Sequence, residues 1–445
     1  MTTVPVVGLL GRSLIATLYA GTFASHSILQ RRYARQHAGR TVIRPGRRAL
    51  PSVDVIIPIW NEDSKLLEAC CESLLVQDYP INVFLVDDCS RNLDALQPLY
   101  DRYEQRPGWT VITLEQHVGK RQAQDAAYRK GTGEFVLTID SDTVVYPDTI
   151  QKLIDRAEYD DVGAVTGNVR ALNQSKGLLA RAVNWRYAML FDQERAAQGW
   201  HGAVLCCTGP LSLYRRSSLE AVWDEYLSQT FMRLACVFGD DLQLTNLLLA
   251  NGYESRYAPD AHALTEVPTG LGRYFRQQVR WNRSFFRELP WTRRALLGQR
   301  GRKASPYLWF DVIARGLAPL LLAVGMSLGV WDAAVARSWL LLDAAMLAVM
   351  TGTSGALVFW QTRSLPKPDP ALPPSRRAAM APPSGRGALS VVLVYGLVHV
   401  GLLIPARLWA LTTLQKNGWG TRWGTNQTTP TAPMVPTPSF ENTTG

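Results

Sequence analysis

Charge is scarce in this chain. Asp, Glu, Lys and Arg make up 19% of its 445 residues, against 47% hydrophobic residues. That balance is too apolar for an ordinary soluble enzyme and too polar for a protein lying wholly in a bilayer, so it implies a soluble catalytic body carried on a few spans. A channel or transporter would devote more of its length to helices than to the soluble part. Cysteine is sparse too: Cys70, Cys71, Cys89, Cys206, Cys207 and Cys236. None forms a CxxC pair with a matching partner pair or His spacing, which argues against a zinc site. Adjacent cysteines are poor disulfide partners, so all six read as reduced thiols. No Lys or Arg precedes Arg12, whereas a cleaved signal peptide carries its charged end first. Residues 1–30, apolar apart from Arg12 and His26, therefore read as a retained membrane helix.

The net charge of +10 fits nucleic acid, an anionic membrane or an anionic substrate, and its placement decides. The cations gather beside apolar stretches, as an interface anchor requires, and not along one recognition element, so no nucleic-acid partner is expected. Arg31, Arg32, Arg35, Arg40, Arg44, Arg47 and Arg48 make residues 31–49 a basic linker and put the following domain in the cytoplasm. Over residues 50–290, the apolar runs Val53–Ile59, Val83–Val86, Val111–Leu114 and Phe135–Ile139 alternate with helical segments. This is an α/β pattern with a parallel sheet and crossover helices, whose ligands bind outside the strands' carboxyl ends. A basic interface segment follows at 291–305. Residues 306–411 hold about three spans, near 306–330, 338–361 and 388–411, interrupted by Asp311, Arg315, Asp343 and Arg407. Those charges imply a polar path or an interfacial position. The Pro-rich loop 362–387 is basic and so cytoplasmic, Pro405 is expected to kink the last span, and 412–445 ends in a disordered tail.

Five local patterns carry chemistry. Asp140-Ser141-Asp142 ends the strand FVLTID, and two carboxylates one residue apart suit a divalent cation. Asp87-Asp88 ends another strand, where acidic groups accept hydrogen bonds from a base or ribose. Gly119-Lys120-Arg121 offers backbone freedom and two cations for a phosphate. Gly239-Asp240-Asp241 opens a helix and presents a carboxylate that could serve as a general base. In Gln277–Trp281, Arg280 suits a diphosphate and the Trp281 face suits a sugar ring. Taken singly, each has an ordinary alternative: a strand-ending turn, an Asp cap, a solvated basic turn, or an amphipathic interface helix.

Taken together with Pro58-Ile59-Trp60-Asn61-Glu62, and in this order, the motifs resemble the processive inverting glycosyltransferases of family 2, the group of hyaluronan, chitin and cellulose synthases. The resemblance covers roughly residues 50–423 and is strongest toward hyaluronan synthases and nodulation-type chitin-oligosaccharide synthases. It is carried by VGKRQAQ (118–124), QERAAQ (193–198), CCTGPLSLYRR (206–216), GDDLQLTN (239–246) and QQVRWNRSFFRE (277–288). Trp419-Gly420-Thr421-Arg422 and the FFRE ending look like hyaluronan synthases, which the reading favours. QDYP (77–80), SRN (90–92) and the single N-terminal span look like the nodulation enzymes. Trp60, Cys89, Leu242 and Gln243 depart from the family's usual residues.

The resemblance implies a GT-A (Rossmann-like) glycosyltransferase domain flanked by transmembrane helices, in a multi-pass protein of the cell membrane. Asp87 and Asp88 would contact uridine, Lys120 and Arg121 would steady the nucleotide, and Asp140 with Asp142 would hold Mg²⁺ or Mn²⁺. Asp241, beside Asp240, would be the base. Arg280 would meet the diphosphate, and Trp281 the acceptor, with Gln277 in the same motif. Pro58, Asn61 and Glu62 would line the donor side, and Thr208, Gly209 and Pro210 the acceptor side. The implied partners are UDP-GlcNAc, UDP-glucuronate on the hyaluronan side, a growing β-linked polysaccharide and the lipid bilayer.

Overall fold

The computed structural model describes residues 3–39, 50–298, 305–336, 339–368, 370–382 and 385–416. The segment Trp419–Arg422, the tail around it and the cations Arg40, Arg44, Arg47 and Arg48 lie outside the described residues.

A single helix, α1 (Thr3–Ala38), opens the chain and passes through the expected boundary at Gln30. Between Gln30 and Ala38 no Pro or Gly intervenes, and Arg, Gln and Ala are good helix formers, so the basic stretch prolongs the helix. Strand–helix units follow: β1 (Val53–Ile59), α2 (Ser64–Leu75), β2 (Asn82–Asp87), α3 (Leu93–Glu104), β3 (Trp109–Thr113), α4 (Lys120–Lys130) and β4 (Phe135–Thr138). β1 lies between β2 and β4 and is parallel to both. Apart from Asp54 and Pro58 it is aliphatic, because it is covered on both faces. Asp63 then caps α2 by accepting from the Lys65 N–H at 2.9 Å.

Beyond β4 the sheet is mixed, where an all-parallel one was expected. The elements are β5 (Thr143–Val145), α5 (Thr149–Arg156), β6 (Val162–Ala171), α6 (Leu178–Met189), α7 (Ala196–Trp200), β7 (Ser212–Arg215), α8 (Arg216–Glu220), α9 (Trp223–Leu227), the small pair β8 (Thr230–Phe231) and β9 (Leu234–Ala235), α10 (Asp240–Ala250) and β10 (Glu254–Thr265). The eight-stranded order is β3-β2-β1-β4-β7-β6-β10-β5. β7 runs antiparallel to β4 and β6, and β5 antiparallel to β10. With three and four residues, β5 and β7 are too short to leave a readable period. The core gathers on this sheet around Val55, Ile57, Leu85, Leu137 and Leu213, all fully buried.

Helix α11 (Leu271–Leu297) absorbs Pro290 and carries on past the expected boundary at 290. Among the described residues three stretches are long and apolar enough to cross a membrane: Pro306–Ala334 (α12, Pro306–Trp331, and a π turn), Leu340–Thr362 (α13), and Gly387–Thr412. α14 (Pro374–Met380) lies in the loop before the third stretch, which begins within α15 (Gly385–Val398) and continues to α16 (Ile404–Thr412). Pro405 does not end that stretch, because a π turn over His399–Leu403 precedes it and accommodates the lost hydrogen bond. α1 is not among the three, yet it packs along α12 and α13. The interrupting charges are paired. Arg12 of α1 donates to Asp343 at 2.6 Å and to Asp332, and Asp311 meets His26 at 2.8 Å and Arg315 at 3.0 Å. Arg407 lies over the rings of Phe285 and Phe286.

Candidate active site

The carboxyl ends of β1, β2 and β4 open into one crevice. After β1 the chain turns at Asn61, whose φ of +49° is tolerated because Asn adopts the left-handed region more readily than most residues. The Asn61 side chain accepts from the Arg91 N–H at 2.7 Å, which ties the ends of β1 and β2 together. Asp87 is fully buried and accepts from the Tyr100 hydroxyl at 2.7 Å and the Ser90 N–H at 2.8 Å. Asp88 accepts from the N–H groups of Val118 and Gly119, each at 2.8 Å, and its carboxylate lies 2.8 Å from His117 Nδ1. The acidic pair therefore shapes the pocket, drawing the loop before α4 across to β2. The hydrogen bond to Asp88 raises the pKa of His117 against the cost of burial. Trp60 stacks on His117 with ring centres 4.5 Å apart, and Pro58 sits half-buried nearby in β1. Cys89 takes a φ of +58° and so keeps the turn at a strain of roughly 1–2 kcal/mol. Ser90, from the SRN stretch, belongs to this wall, and so does His117, to which no sequence motif had pointed.

A single ammonium joins the two acidic motifs. Lys120 Nζ donates to Asp140 at 2.7 Å and lies 3.2 Å from Asp240. Burial opposes its charge, but Asp140 and Asp240 outweigh burial and raise its pKa. Burial would likewise raise Asp240, but Lys120 and Arg121 hold its pKa low. Asp241 has its pKa raised, by burial first and then by the charge on Asp240. Its carboxylate accepts from the Leu242 N–H at 2.8 Å and the Gly209 N–H at 3.3 Å. The loop Cys207–Pro210 thus runs between the two motifs. A Cβ at Gly209 would lie 3.0 Å from Lys120 Nζ and 3.3 Å from Asp140, so a larger residue there would push against the ion pair. The Thr208 carbonyl accepts from Ser212 at 2.7 Å, which braces the same turn. Burial lifts the Cys207 thiol to about 12, leaving it protonated and inert.

Arg121 does not share the pocket of Lys120. Its guanidinium is buried, donating to the Tyr226 carbonyl at 2.8 Å, to Gln229 at 2.7 Å and to Gln243. Gln243, one of the departures from the family pattern, is therefore an internal partner. Glu62 accepts from the Ser141 hydroxyl, linking the ends of β1 and β4, and Asp142 accepts from the Thr265 hydroxyl at 2.9 Å.

Helix α11 closes the crevice. Ser284 lies under Gly239, whose φ of +82° begins α10, and a Cβ there would meet Ser284 Oγ at 2.9 Å. The Gln277 amide oxygen is buried without a hydrogen-bond partner among the described residues, and Trp281 remains 41% exposed. Burial, then Asp142 and Asp140, raise the pKa of Tyr187, while Arg186 and Arg280 oppose them. That ring therefore lies in the field of both the Asp140–Asp142 pair and the Gln277–Trp281 motif, another participant that no motif revealed.

Asp140 and Asp142 offer hard oxygen donors, and the Asp140 side chain is 32% exposed. No group of three or more His, Cys, Asp or Glu able to hold a metal occurs among the described residues. Two carboxylates without a full cage suit Mg²⁺ or Mn²⁺, which commonly take one or two carboxylates and complete their shell with water and substrate phosphate.

Residues 54–223 match the family model described as glycosyl transferase family 2. The chain is 35% identical to an N-acetylglucosaminyltransferase of Neorhizobium galegae, over 92% of this chain and 89% of that one. It is 36% identical to one of Sinorhizobium fredii (91% and 93%) and 34% identical to one of Rhizobium meliloti (94% and 92%). Among solved structures it resembles the mannosyltransferase PcManGT from Pyrobaculum calidifontis, in complex with GDP-Man and Mn²⁺. The TM-score is 0.53 at 20% identity, covering 77% of this chain and 98% of that one, and the shared architecture is the GT-A fold.

Proposed function

The chain belongs to glycosyltransferase family 2, and from that premise we propose that it is a membrane-bound N-acetylglucosaminyltransferase that lengthens a β-linked chain from UDP-GlcNAc. The observation that carries this reading is the meeting of Asp140, Lys120 and Asp240 beside the more basic Asp241. A donor-diphosphate end and a proton acceptor then share one crevice. Asp241 takes the proton from the acceptor hydroxyl. That oxygen attacks the anomeric carbon from the face opposite UDP, the bond to the diphosphate breaks, and the α-linked donor becomes a β-link. Arg280 donates hydrogen bonds to the departing diphosphate, and Lys120 keeps the surrounding carboxylates in their charged form. Asp140 and Asp142 are the residues that would hold Mg²⁺ or Mn²⁺, which when bound offsets the charge on the leaving group. Trp281 offers its face to the acceptor sugar, with Gln277 beside it. Asp87, Asp88, Pro58, Asn61 and Glu62 shape the nucleotide pocket.

The membrane part of the reading rests on the three apolar stretches. Only 28%, 17% and 17% of their most apolar windows are buried within the protein, so most of that surface needs lipid to cover it. The cations at the end of α1 favour a cytoplasmic catalytic domain. As for the donor, the relatives reported above are N-acetylglucosaminyltransferases by name, which supports UDP-GlcNAc as the donor. A hyaluronan-type reaction that also uses UDP-glucuronate keeps support from the FFRE ending and Trp419–Arg422. Membranes supplied with UDP-GlcNAc and Mn²⁺, with and without UDP-glucuronate, test both. Chitinase-sensitive product from UDP-GlcNAc alone is expected. A product needing both donors and cut by hyaluronidase would transfer the assignment to hyaluronan, and no UDP release from either donor would refute the transferase reading.

A further inference from the structure

The loop between the second and third apolar stretches lies on the catalytic domain. Helix α14 seats Arg376 and Met380 in buried positions, and Arg376 is 4% exposed. Its guanidinium donates to Asp148 Oδ1 at 2.8 Å through Nη1, and Nε and Nη2 lie 3.1 and 2.9 Å from His262 Nδ1. Its plane covers the Tyr146 ring at 4.2 Å. Because a guanidinium can only donate, Nδ1 of His262 must be the lone-pair nitrogen. Burial, then the charges of Arg376, Arg170 and Lys152, hold the His262 pKa down to about 3 against the opposing Asp148, so the ring stays neutral.

Tyr146 directly follows β5, and His262 is where β10 regains its register after the irregularity at Tyr257. From there β5 and β10 pair over three positions only: Ala263 with Val145, Leu264 with Val144 and Thr265 with Thr143. At the far end of this ladder the Thr265 hydroxyl reaches Asp142 at 2.9 Å. A three-residue edge strand holds weakly by itself. Ser73 and Gln77 tie its backbone to α2, at 3.1 Å to the Val145 N–H and 3.0 Å to the Tyr146 carbonyl. Arg376 bridges the two strands to each other, from Asp148 on the β5 side to His262 on β10.

We propose that Arg376 is a positioning residue: by docking α14 across the ends of β5 and β10, it keeps the ladder in register and so holds Asp142 in place for the donor. The segment joining two apolar stretches thereby couples the membrane region to the acidic pair. The functional half of this inference rests on the donor-site reading above; the clamp itself does not.

The test uses the full-length protein in detergent or native membranes, as wild type, Arg376→Ala and Arg376→Lys, with Mn²⁺ as the probe. Amide exchange over 142–146 and 262–266 should quicken about tenfold in Arg376→Ala while β1 and β2 stay unchanged. The Mn²⁺ concentration giving half-maximal transfer from UDP-GlcNAc should rise about tenfold, with a much smaller fall in rate at saturating Mn²⁺. Arg376→Lys keeps the ion pair to Asp148 but loses the fork to His262, and should fall between the two. Unchanged exchange in β5 and β10, or a lower rate with an unchanged Mn²⁺ requirement, would overturn the proposal. If Arg376→Ala does not accumulate, Arg376→Lys and Asp148→Asn carry the same measurements. If wild type transfers nothing, the proposed function falls, and the exchange experiment still decides the clamp.

Discussion

Replacing Asp241 by Asn isolates the proposed base from everything else in the crevice. The new side chain has the same shape. Its oxygen can still accept from the Leu242 N–H at 2.8 Å, while its amide now faces the Gly209 N–H, forfeiting a long hydrogen bond of 3.3 Å. That loss costs about 1 kcal/mol of stability. The loss of proton transfer is larger. A positioned base contributes about 10²–10⁴-fold, which is about 3–5 kcal/mol on the barrier. Asp241 should lie toward the upper end, because burial and Asp240 raise its pKa toward the working pH and make it a stronger base. We therefore expect transfer of labelled GlcNAc to fall about a thousandfold, with UDP affinity close to wild type. The pH profile supplies the sign. Only the carboxylate accepts a proton, so wild-type activity should fall as pH drops through the raised Asp241 pKa, and the residual activity of Asp241→Asn should lack that limb. Transfer within about tenfold of wild type, with the same acid limb, would refute the assignment.

Lys120→Met removes the charge that favours ionised Asp241, so the acid limb of the wild-type profile should move to higher pH; an unmoved limb would contradict the coupling. Gly239→Ala forces a left-handed residue and a Cβ 2.9 Å from Ser284 Oγ, which should cost roughly 1–3 kcal/mol and displace Asp240 and Asp241. Transfer rates near wild type would show that the start of α10 tolerates it. Glu288 is buried, accepts from Gln229 and Asn246, and has its pKa pushed up by burial from 4.5 to about 7. The folded state therefore favours its protonated form, a stabilisation present below about pH 4.5 and lost as pH rises through 7. At 1.36 kcal/mol per pH unit it amounts to roughly 3 kcal/mol. Thermal unfolding in detergent at pH 5.5 and pH 8 should show wild type losing more stability than Glu288→Gln, and equal losses would sink the argument.

The first half of the fold was legible because its strands sit in apolar runs that alternate with helical segments: β1 matches the run Val53–Ile59, and β2–β4 lie within two residues of theirs. The mixed half was not, since β5 and β7 owe their direction to neighbours far away in sequence. Segment boundaries drawn on charge do not coincide with helix ends. Charge marked a boundary at Gln30 and at Pro290, but α1 and α11 run through both. The motifs were visible as motifs, but a motif names residues without naming their partners. Lys120 and Arg121 begin the same helix, and successive helical residues point about 100° apart. One therefore reaches Asp140 and Asp240, while the other is buried against Gln229 and Gln243.

The order of acidic, glycine and QxxRW motifs along the chain, and with it the family and the glycosyl-transfer chemistry, could be read from the residues alone, because those elements are local and each needs particular side chains. So could the apolar stretches, which need only length and composition. Tertiary structure decided the rest. It brought Asp140 and Asp240 to one ammonium, turned Asp88 inward to hold the loop before α4, and laid Arg376 against β5 and β10. These are contacts between residues tens to hundreds of positions apart. Spacing along a chain carries no information about which charges share a low-dielectric crevice, and it is there that proximity and burial hold the Asp240 pKa low and raise that of Asp241.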